Sequence, residues 1–154
     1  MNKLEQFNVL VVEDSEDDTL IIKRCFKKVR GNKINFVRDG EEAIEYIFGE
    51  GKYEDRERYP APGLILLDIN LPKVDGFGVL KRIKAHRIYR LIPVIMLTTS
   101  NRDEDIIRSF DYGAVSYIAK PMDFEGFRTF QHLLELSFGD AKVLRRRDET
   151  YPAY

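Results

Sequence analysis

Five short apolar segments, separated by stretches of helical periodicity, constrain the fold of this chain more than any other feature. The most apolar are VLVV (9–12), LILL (64–67) and VIML (94–97), and the set is completed by VSYIA (115–119) and the weaker INFV (34–37). Nearly unbroken apolar segments of this length are typical of parallel strands that are covered on both faces. They therefore predict the strands of a buried parallel sheet.

An amphipathic pattern follows each of the five apolar segments. These patterns predict helices at 15–29, 40–48, 76–85, 102–111 and 123–137. A strand–helix unit repeated five times predicts a doubly wound α/β fold, with a five-stranded parallel sheet and helices on both faces.

The length of 154 residues is sufficient for one domain with a substantial hydrophobic core. We place this domain at 1–138 and a tail at 139–154, where the helical periodicity is lost and too few residues remain for an effector domain. Segment 49–63 is polar and punctuated by Gly and Pro, which predicts an exposed surface loop.

The composition argues against several classes of partner. The 25 basic and 26 acidic residues nearly cancel, so the overall charge indicates neither nucleic-acid nor membrane binding. The apolar runs are too short to span a bilayer, and the N-terminal residues lack the apolar region of a signal peptide. The single cysteine, Cys25, favours a reducing compartment and is expected in the core. We therefore expect a cytoplasmic protein.

Polar and charged residues stand where four of the predicted strands end. The first strand ends at Glu13 and Asp14, the third at Asp68, the fourth at Thr98 and the fifth at Lys120. In an open α/β sheet, ligands bind outside the carboxyl ends of the strands. Three carboxylates, a hydroxyl and an ammonium are therefore expected to meet at one edge of the sheet.

The residue types at this edge suit phosphoryl transfer. Clustered carboxylates destabilise one another unless a cation joins them, and Mg²⁺ prefers a few oxygen ligands together with water and phosphate. A carboxylate such as Asp68 can accept a phosphoryl group as an acyl phosphate. Lys120, Thr98 and the metal would each take one of the phosphoryl oxygens.

The acids that follow Ser15 have a simpler interpretation. Ser15 and Asp18 fit a capping box, and Glu16, Asp17 and Asp18 suit the positive end of a helix dipole. We assign these three acids to the start of the helix and not to the site. Asp75 is likewise interpreted as a helix cap.

The phrases VVEDS, LLDINLPKVDGFGVL, LTTS and YIAKP, with the spacings between them, resemble the signatures of response-regulator receiver domains. The resemblance extends from residue 7 to about 138. It implies the flavodoxin-like strand order 2-1-3-4-5, which the periodicity alone does not give. It also implies that Asp68 is the phosphoacceptor and that Lys120 contacts the phosphoryl group.

The resemblance assigns the metal site and the switch residue by residue. Glu13 and Asp14 match the acidic pair that holds Mg²⁺ together with Asp68, and Asn70 matches the position whose backbone carbonyl is a ligand. Thr98 matches the hydroxyl, and Tyr117 the aromatic ring, that move on phosphorylation in the family. The peptide bond between Lys120 and Pro121 matches one that is commonly cis in the family.

The resemblance also implies partners. The phrase LPKVDG, the long 49–63 loop and the aromatic-rich last helix resemble receivers that work with bacterial phytochromes, so a sensor histidine kinase is the expected phosphoryl donor, with a bacterial phytochrome as the candidate. In the family, the helix, strand and helix predicted at 102–111, 115–119 and 123–137 form the usual dimerisation face. A homodimer through this face is expected, with no effector domain in the chain.

Two other classes of protein would share some of these features. A haloacid-dehalogenase-like, Mg²⁺-dependent phosphatase or phosphotransferase also uses an aspartyl nucleophile, but those sites resemble DxD followed by threonine, whereas this chain has DIN followed by LP. A non-phosphorylated interaction module would require the loss of a site residue, and each one is present. We therefore expect a phosphoacceptor switch that catalyses at most its own phosphorylation and dephosphorylation.

Overall fold

A computed structural model describes residues 7–26, 32–99 and 102–120, together with isolated positions between 126 and 136. Five strands form one parallel sheet with the order β2-β1-β3-β4-β5. Their bounds are β1 Phe7–Val12, β2 Asn32–Val37, β3 Leu64–Asp68, β4 Val94–Thr98 and β5 Ser116–Ala119. The five predicted strands and the flavodoxin-like order are therefore confirmed.

Four helices connect these strands, namely α1 Glu16–Phe26, α2 Gly40–Phe48, α3 Gly76–Ala85 and α4 Asp103–Asp111. Two short 3-10 turns lie at Gly51–Tyr53 and Tyr89–Leu91. The bounds of α2 and α3 coincide with the predicted ones. The predicted fifth helix lies largely outside the described residues, although the six positions whose conformation is described there are all helical.

The sheet carries a separate hydrophobic core on each face. Along β1, Leu10 and Val12 point to the core beneath α2 and α3, whereas Val9 and Val11 point to the core that includes residues of α1. The residues of β3 and β4 are all buried, which is the double-sided burial that their unbroken apolar runs predict. Cys25 is buried in the α1 core, as expected. Within the described residues, no helix is long and apolar enough to cross a membrane.

The prediction of an exposed loop at 49–63 is wrong for the inner face of that segment. Tyr53 is buried, and its ring lies 4.9 Å from that of Tyr46 in α2. The Arg56 guanidinium donates hydrogen bonds to the carbonyls of Tyr46 and Ile47, at 2.8 and 2.5 Å. These carbonyls belong to the last turn of α2, beyond which no helical N–H groups follow; the Tyr46 carbonyl also accepts a hydrogen bond from the capping Gly49 N–H at 3.3 Å. Hydrogen bonds from Arg56 therefore hold segment 49–63 against the end of α2. The polar composition of the segment does not predict this contact.

The start of α3 lies directly against the end of β3. Gly76 N–H donates to the Ile69 carbonyl at 2.8 Å, and a Cβ atom on Gly76 would overlap the Asp68 carbonyl. Asp75 caps the helix by accepting a hydrogen bond from Gly78 N–H at 2.8 Å, which confirms its predicted role. The glycine therefore allows the close contact that fixes the backbone of Asp68.

Candidate functional site

The site lies at the carboxyl ends of β1, β3, β4 and β5. Glu13 follows β1 directly and is buried, and its backbone N–H continues the ladder by donating to the Val37 carbonyl at 3.0 Å. Asp14, the next residue, is exposed. The acid pair thus offers one carboxylate inside the protein and one at its surface.

Asp68 ends β3 and is also buried. Its Oδ1 accepts a hydrogen bond from Asn70 N–H at 3.1 Å, and its Oδ2 accepts one from Lys120 Nζ at 2.7 Å. Both oxygens are held by donors, so the orientation of the carboxylate is fixed.

Lys120 follows β5 and is held by its backbone as well as by its side chain. Its N–H donates to the Thr98 carbonyl at 2.8 Å, which ties the ends of β4 and β5 together. Its Nζ lies 2.7 Å from Asp68 Oδ2 and 2.5 Å from Glu13 Oε2. The sequence prediction that Glu13, Asp68 and Lys120 share one edge is matched by these distances.

Asp18 also belongs to this cluster, which corrects its assignment to the helix start alone. Ser15 Oγ accepts the Asp18 N–H at 3.2 Å, as the cap requires. The other half of the predicted capping box is replaced, because Ser15 N–H donates to Glu13 Oε1 at 3.1 Å. The Asp18 carboxylate instead accepts a hydrogen bond from Lys120 Nζ at 2.9 Å, across 102 positions of sequence. No local pattern could have revealed so distant a contact.

Thr98, Tyr117 and Asn70 lie around the charged cluster. Thr98 is the last residue of β4 and is fully buried. Tyr117 is half-buried on β5, where it packs against the core beneath α2 and α3. Asn70 is exposed two residues beyond Asp68. Their roles in the switch and as a metal ligand stay predictions, and the Lys120–Pro121 peptide bond lies outside the described residues.

The acidic residues have a geometry that suits a divalent cation. Glu13, Asp14 and Asp68 each offer a carboxylate oxygen, and these oxygens lie within 4.8 Å of one another. Glu13 Oε2 is buried and, apart from its ion pair with Lys120, has no hydrogen-bond partner among the described residues. An oxygen-only donor set with an exposed member fits Mg²⁺, which retains several waters.

Electrostatics favour binding of a cation beside Glu13. Burial raises the pKa of the Glu13 carboxyl to about 7, the adjacent Lys120 ammonium opposes that rise, and the negative charge of Asp68 adds to it. For Lys120, burial acts to lower the pKa, but the hydrogen bond to Asp68 and the contact with the Glu13 carboxylate outweigh it and the pKa is raised. The Lys120 ammonium therefore stays charged, but it does not fully compensate the negative charge of the buried Glu13 carboxylate. A second cation beside Glu13 would do so.

The comparisons with known proteins agree with this site. The family model described as the response regulator receiver domain matches residues 9–130. A probable methanogenesis regulatory protein, FilR2, of Methanothrix harundinacea is 36% identical over 137 residues, which are 88% of this chain and 86% of the relative.

Two solved structures superpose closely on the fold. The Mn²⁺-bound form of response regulator Rcp1 has a TM-score of 0.76 and 35% identity, covering 82% of this chain and 91% of Rcp1. The phosphorylated cyanobacterial phytochrome response regulator RcpA has a TM-score of 0.77 and 35% identity, covering 84% of this chain and 92% of RcpA.

The family match includes all the site residues and leaves the haloacid-dehalogenase alternative without support. Both the parallel-sheet order and the acidic edge agree with it. The chain belongs to the response-regulator receiver family, whose members signal by phosphorylation.

Proposed function

We propose that Asp68 accepts a phosphoryl group from a sensor histidine kinase in a Mg²⁺-dependent reaction, and that the product switches a protein-interaction surface. The observation that carries the proposal is the placement of a buried aspartate, Asp68, against both the Lys120 ammonium and the acid pair. A nucleophile, a fixed cation and a metal-binding set thus meet at one edge of the sheet.

The chemistry follows from this arrangement. An Asp68 carboxylate oxygen attacks the phosphorus of a phosphohistidine, the P–N bond breaks, and the imidazole leaves with the bonding electrons. Glu13, Asp14, Asp68 and the Asn70 carbonyl would hold Mg²⁺, which supplies positive charge for the phosphoryl oxygens. Lys120 orients the carboxylate before the reaction and neutralises a phosphoryl oxygen after it.

Thr98 and Tyr117 are proposed to transmit the change. Thr98 ends the strand next to the one that ends at Lys120, and the two backbones share a hydrogen bond of 2.8 Å. A Thr98 hydroxyl that follows the phosphoryl group would open space beside β5, and half-buried Tyr117 could turn inward to fill it. Phosphorylation would thereby favour one of two populations of the α4–β5 surface.

The proposed donor is a sensor histidine kinase, with a bacterial phytochrome as the candidate. The likeness to RcpA, which is described as a phytochrome response regulator, supports this partner. A groove of about 380 Å³ opens beside the acid pair, with Leu20 exposed on its rim, and is the proposed contact surface for the kinase. A cytoplasmic location and the absence of nucleic-acid binding stay predictions.

A homodimer through α4, β5 and the segment predicted as the fifth helix is also part of the proposal. Its support is a set of exposed apolar side chains: Ile107 and Phe110 on α4, Val115 just before β5, and Leu133 and Leu136 in the segment predicted as the fifth helix. Exposed apolar residues gathered on neighbouring elements are typical of protein–protein contacts.

Treatment with acetyl phosphate and Mg²⁺, followed by intact-mass measurement, tests the acceptor. Wild type should gain one phosphoryl group, and Asp68→Asn should gain none. Asp75→Asn is the matched control, since it changes an aspartate in the same phrase that only caps α3. Equal gain in Asp68→Asn and wild type would refute the assignment. Steady multiple-turnover hydrolysis of a small phosphomonoester would instead indicate a phosphatase.

A further inference from the structure

The Lys120 ammonium is already surrounded by acids before any phosphoryl group arrives. Its Nζ lies 2.5 Å from Glu13 Oε2, 2.7 Å from Asp68 Oδ2 and 2.9 Å from Asp18 Oδ2. An ammonium has three hydrogens to donate; two form hydrogen bonds to Asp68 and Asp18, and the third side of the group faces Glu13 in an ion pair. A phosphoryl oxygen on Asp68 can therefore be bonded by Lys120, alongside the remaining Asp68 oxygen, only if Glu13 or Asp18 gives up its place.

Asp18 is the carboxylate that can leave at the least cost. The side chains of Glu13 and Asp68 are 0% and 5% exposed, whereas that of Asp18 is 29% exposed. A buried carboxylate without its partner carries a large desolvation penalty, but a partly exposed one can turn to water. Glu13 and Asp68 also belong to the cation-binding set, and Asp18 does not.

The position of Asp18 in α1 supports its release. It lies in the first turn of the helix, and its backbone N–H is bonded to Ser15 Oγ at 3.2 Å. The backbone is therefore held independently of the carboxylate. A free carboxylate at this end of a helix remains stabilised by the helix dipole.

We propose that Asp18 is a positioning residue that holds Lys120 in the unphosphorylated protein and yields it to the phosphoryl group. The inference rests on the proposed function of Asp68. Because Asp18 competes with the phosphoryl group for one ammonium, it sets the balance between the resting and the phosphorylated site. Removing its charge should favour the phosphoryl-bound site.

Beryllofluoride, a mimic of the phosphoryl group, tests this competition at saturating Mg²⁺. Asp18→Asn should bind the mimic up to about fivefold more tightly than wild type, as expected for the loss of a partly exposed ion pair. Asp17→Asn is the matched control, because it removes the same charge from the same turn but from an exposed side chain. Asp18→Glu, which keeps a carboxylate, should return the affinity towards that of wild type.

Equal affinities in Asp18→Asn and Asp17→Asn would overturn the inference, since charge alone would then explain the change. Weaker binding by Asp18→Asn would also overturn it, because Asp18 would then support the phosphoryl site. A second measurement needs no variant: the ¹³C shift of the Asp18 carboxyl in wild type should change when the mimic binds. An unchanged shift would contradict release. If wild type takes up neither the mimic nor a phosphoryl group, the proposed function fails first, and the inference with it.

Discussion

The buried carboxylates of Glu13 and Asp68 are tolerable at the sheet edge because Lys120 lies between them. Each contacts the ammonium at 2.5 to 2.7 Å, and neither has appreciable exposure to water. Removal of one member of such a cluster leaves buried charge without compensation, which costs more than the intact pair contributes. Lys120 is therefore expected to stabilise the protein as well as the phosphoryl group.

Lys120→Met should lower the free energy of unfolding by about 3 kcal/mol in the absence of divalent cations, because the acids lose their counter-charge. Mg²⁺ should restore part of this loss, since the cation would replace the missing positive charge. Urea unfolding with EDTA and then with Mg²⁺ measures both effects. Lys81→Met, at an exposed position of α3, is the control. An equal deficit with and without Mg²⁺ would contradict this account.

At this site, the sequence predicts some of the residues that come together but not all of them. Glu13, Asp68 and Lys120 could be predicted because each directly follows a strand, and the ends of parallel strands meet at one edge. Asp18 could not, because a helix-capping pattern fully explained its type and spacing. Its contact with Lys120 depends on how α1 packs on the sheet, which no local pattern encodes.

At the scale of elements, the junction of β3 and α3 determines the position of Asp68. A Cβ atom on Gly76 would overlap the Asp68 carbonyl and the Ile69 Cα, both in backbone that cannot easily move. On Gly78, two residues later, it would meet the Val74 Cγ1 atom at 2.8 Å. A side-chain methyl can rotate away, so the two glycines should respond differently to the same substitution.

Gly76→Ala should reduce the free energy of unfolding by about 2 to 3 kcal/mol, as overpacking against rigid backbone does. It should also slow phosphorylation by acetyl phosphate, because the backbone that carries Asp68 must shift. Gly78→Ala should have a much smaller effect on both. Thermal unfolding and intact-mass time courses measure the two effects. Equal behaviour of the variants would show that the close approach of Gly76 does not position Asp68.

Elements differ in how well their sequences predict them. The strands and helices follow from periodicity because each buries a regular face. Segment 49–63 has no period, and its exposed charged residues hide the inward-facing Tyr53 and Arg56. The guanidinium bonds to the carbonyls that end α2, and only the tertiary structure brings these groups together.

For the whole molecule, periodicity predicts five strand–helix units but not the order of the strands. The same apolar runs could pair in other parallel orders, and only the resemblance of the motifs predicts the observed order β2-β1-β3-β4-β5. This order places β1 beside β3, and thereby Glu13 beside Asp68. It also places β5 at an edge next to β4, so that Lys120 reaches the acids while the surface of α4 and β5 stays exposed.

The exposed surface of α4 and β5 is expected to mediate dimerisation when the protein is phosphorylated. The side chains of Ile107 and Phe110 in α4 are 59% and 50% exposed, and their burial between two copies would contribute favourable free energy. We expect beryllofluoride and Mg²⁺ to shift wild type towards a dimer in sedimentation equilibrium. Phe110→Glu should remain monomeric under the same conditions, because a buried unpaired charge would oppose the contact.

A substitution of an exposed apolar residue outside this surface distinguishes a specific dimer contact from nonspecific hydrophobic association. Ile88 is 67% exposed next to the Tyr89–Leu91 turn, which follows α3, so Ile88→Glu should dimerise like wild type. Both variants should still gain one phosphoryl group from acetyl phosphate, since neither residue contacts the acidic site. A wild type that stays monomeric with the mimic bound, or a Phe110→Glu variant that dimerises as readily, would exclude α4 as the contact. If wild type stays monomeric, signalling would have to proceed through binding of a different protein to the switched surface; if Phe110→Glu dimerises, the dimer contact lies on another face.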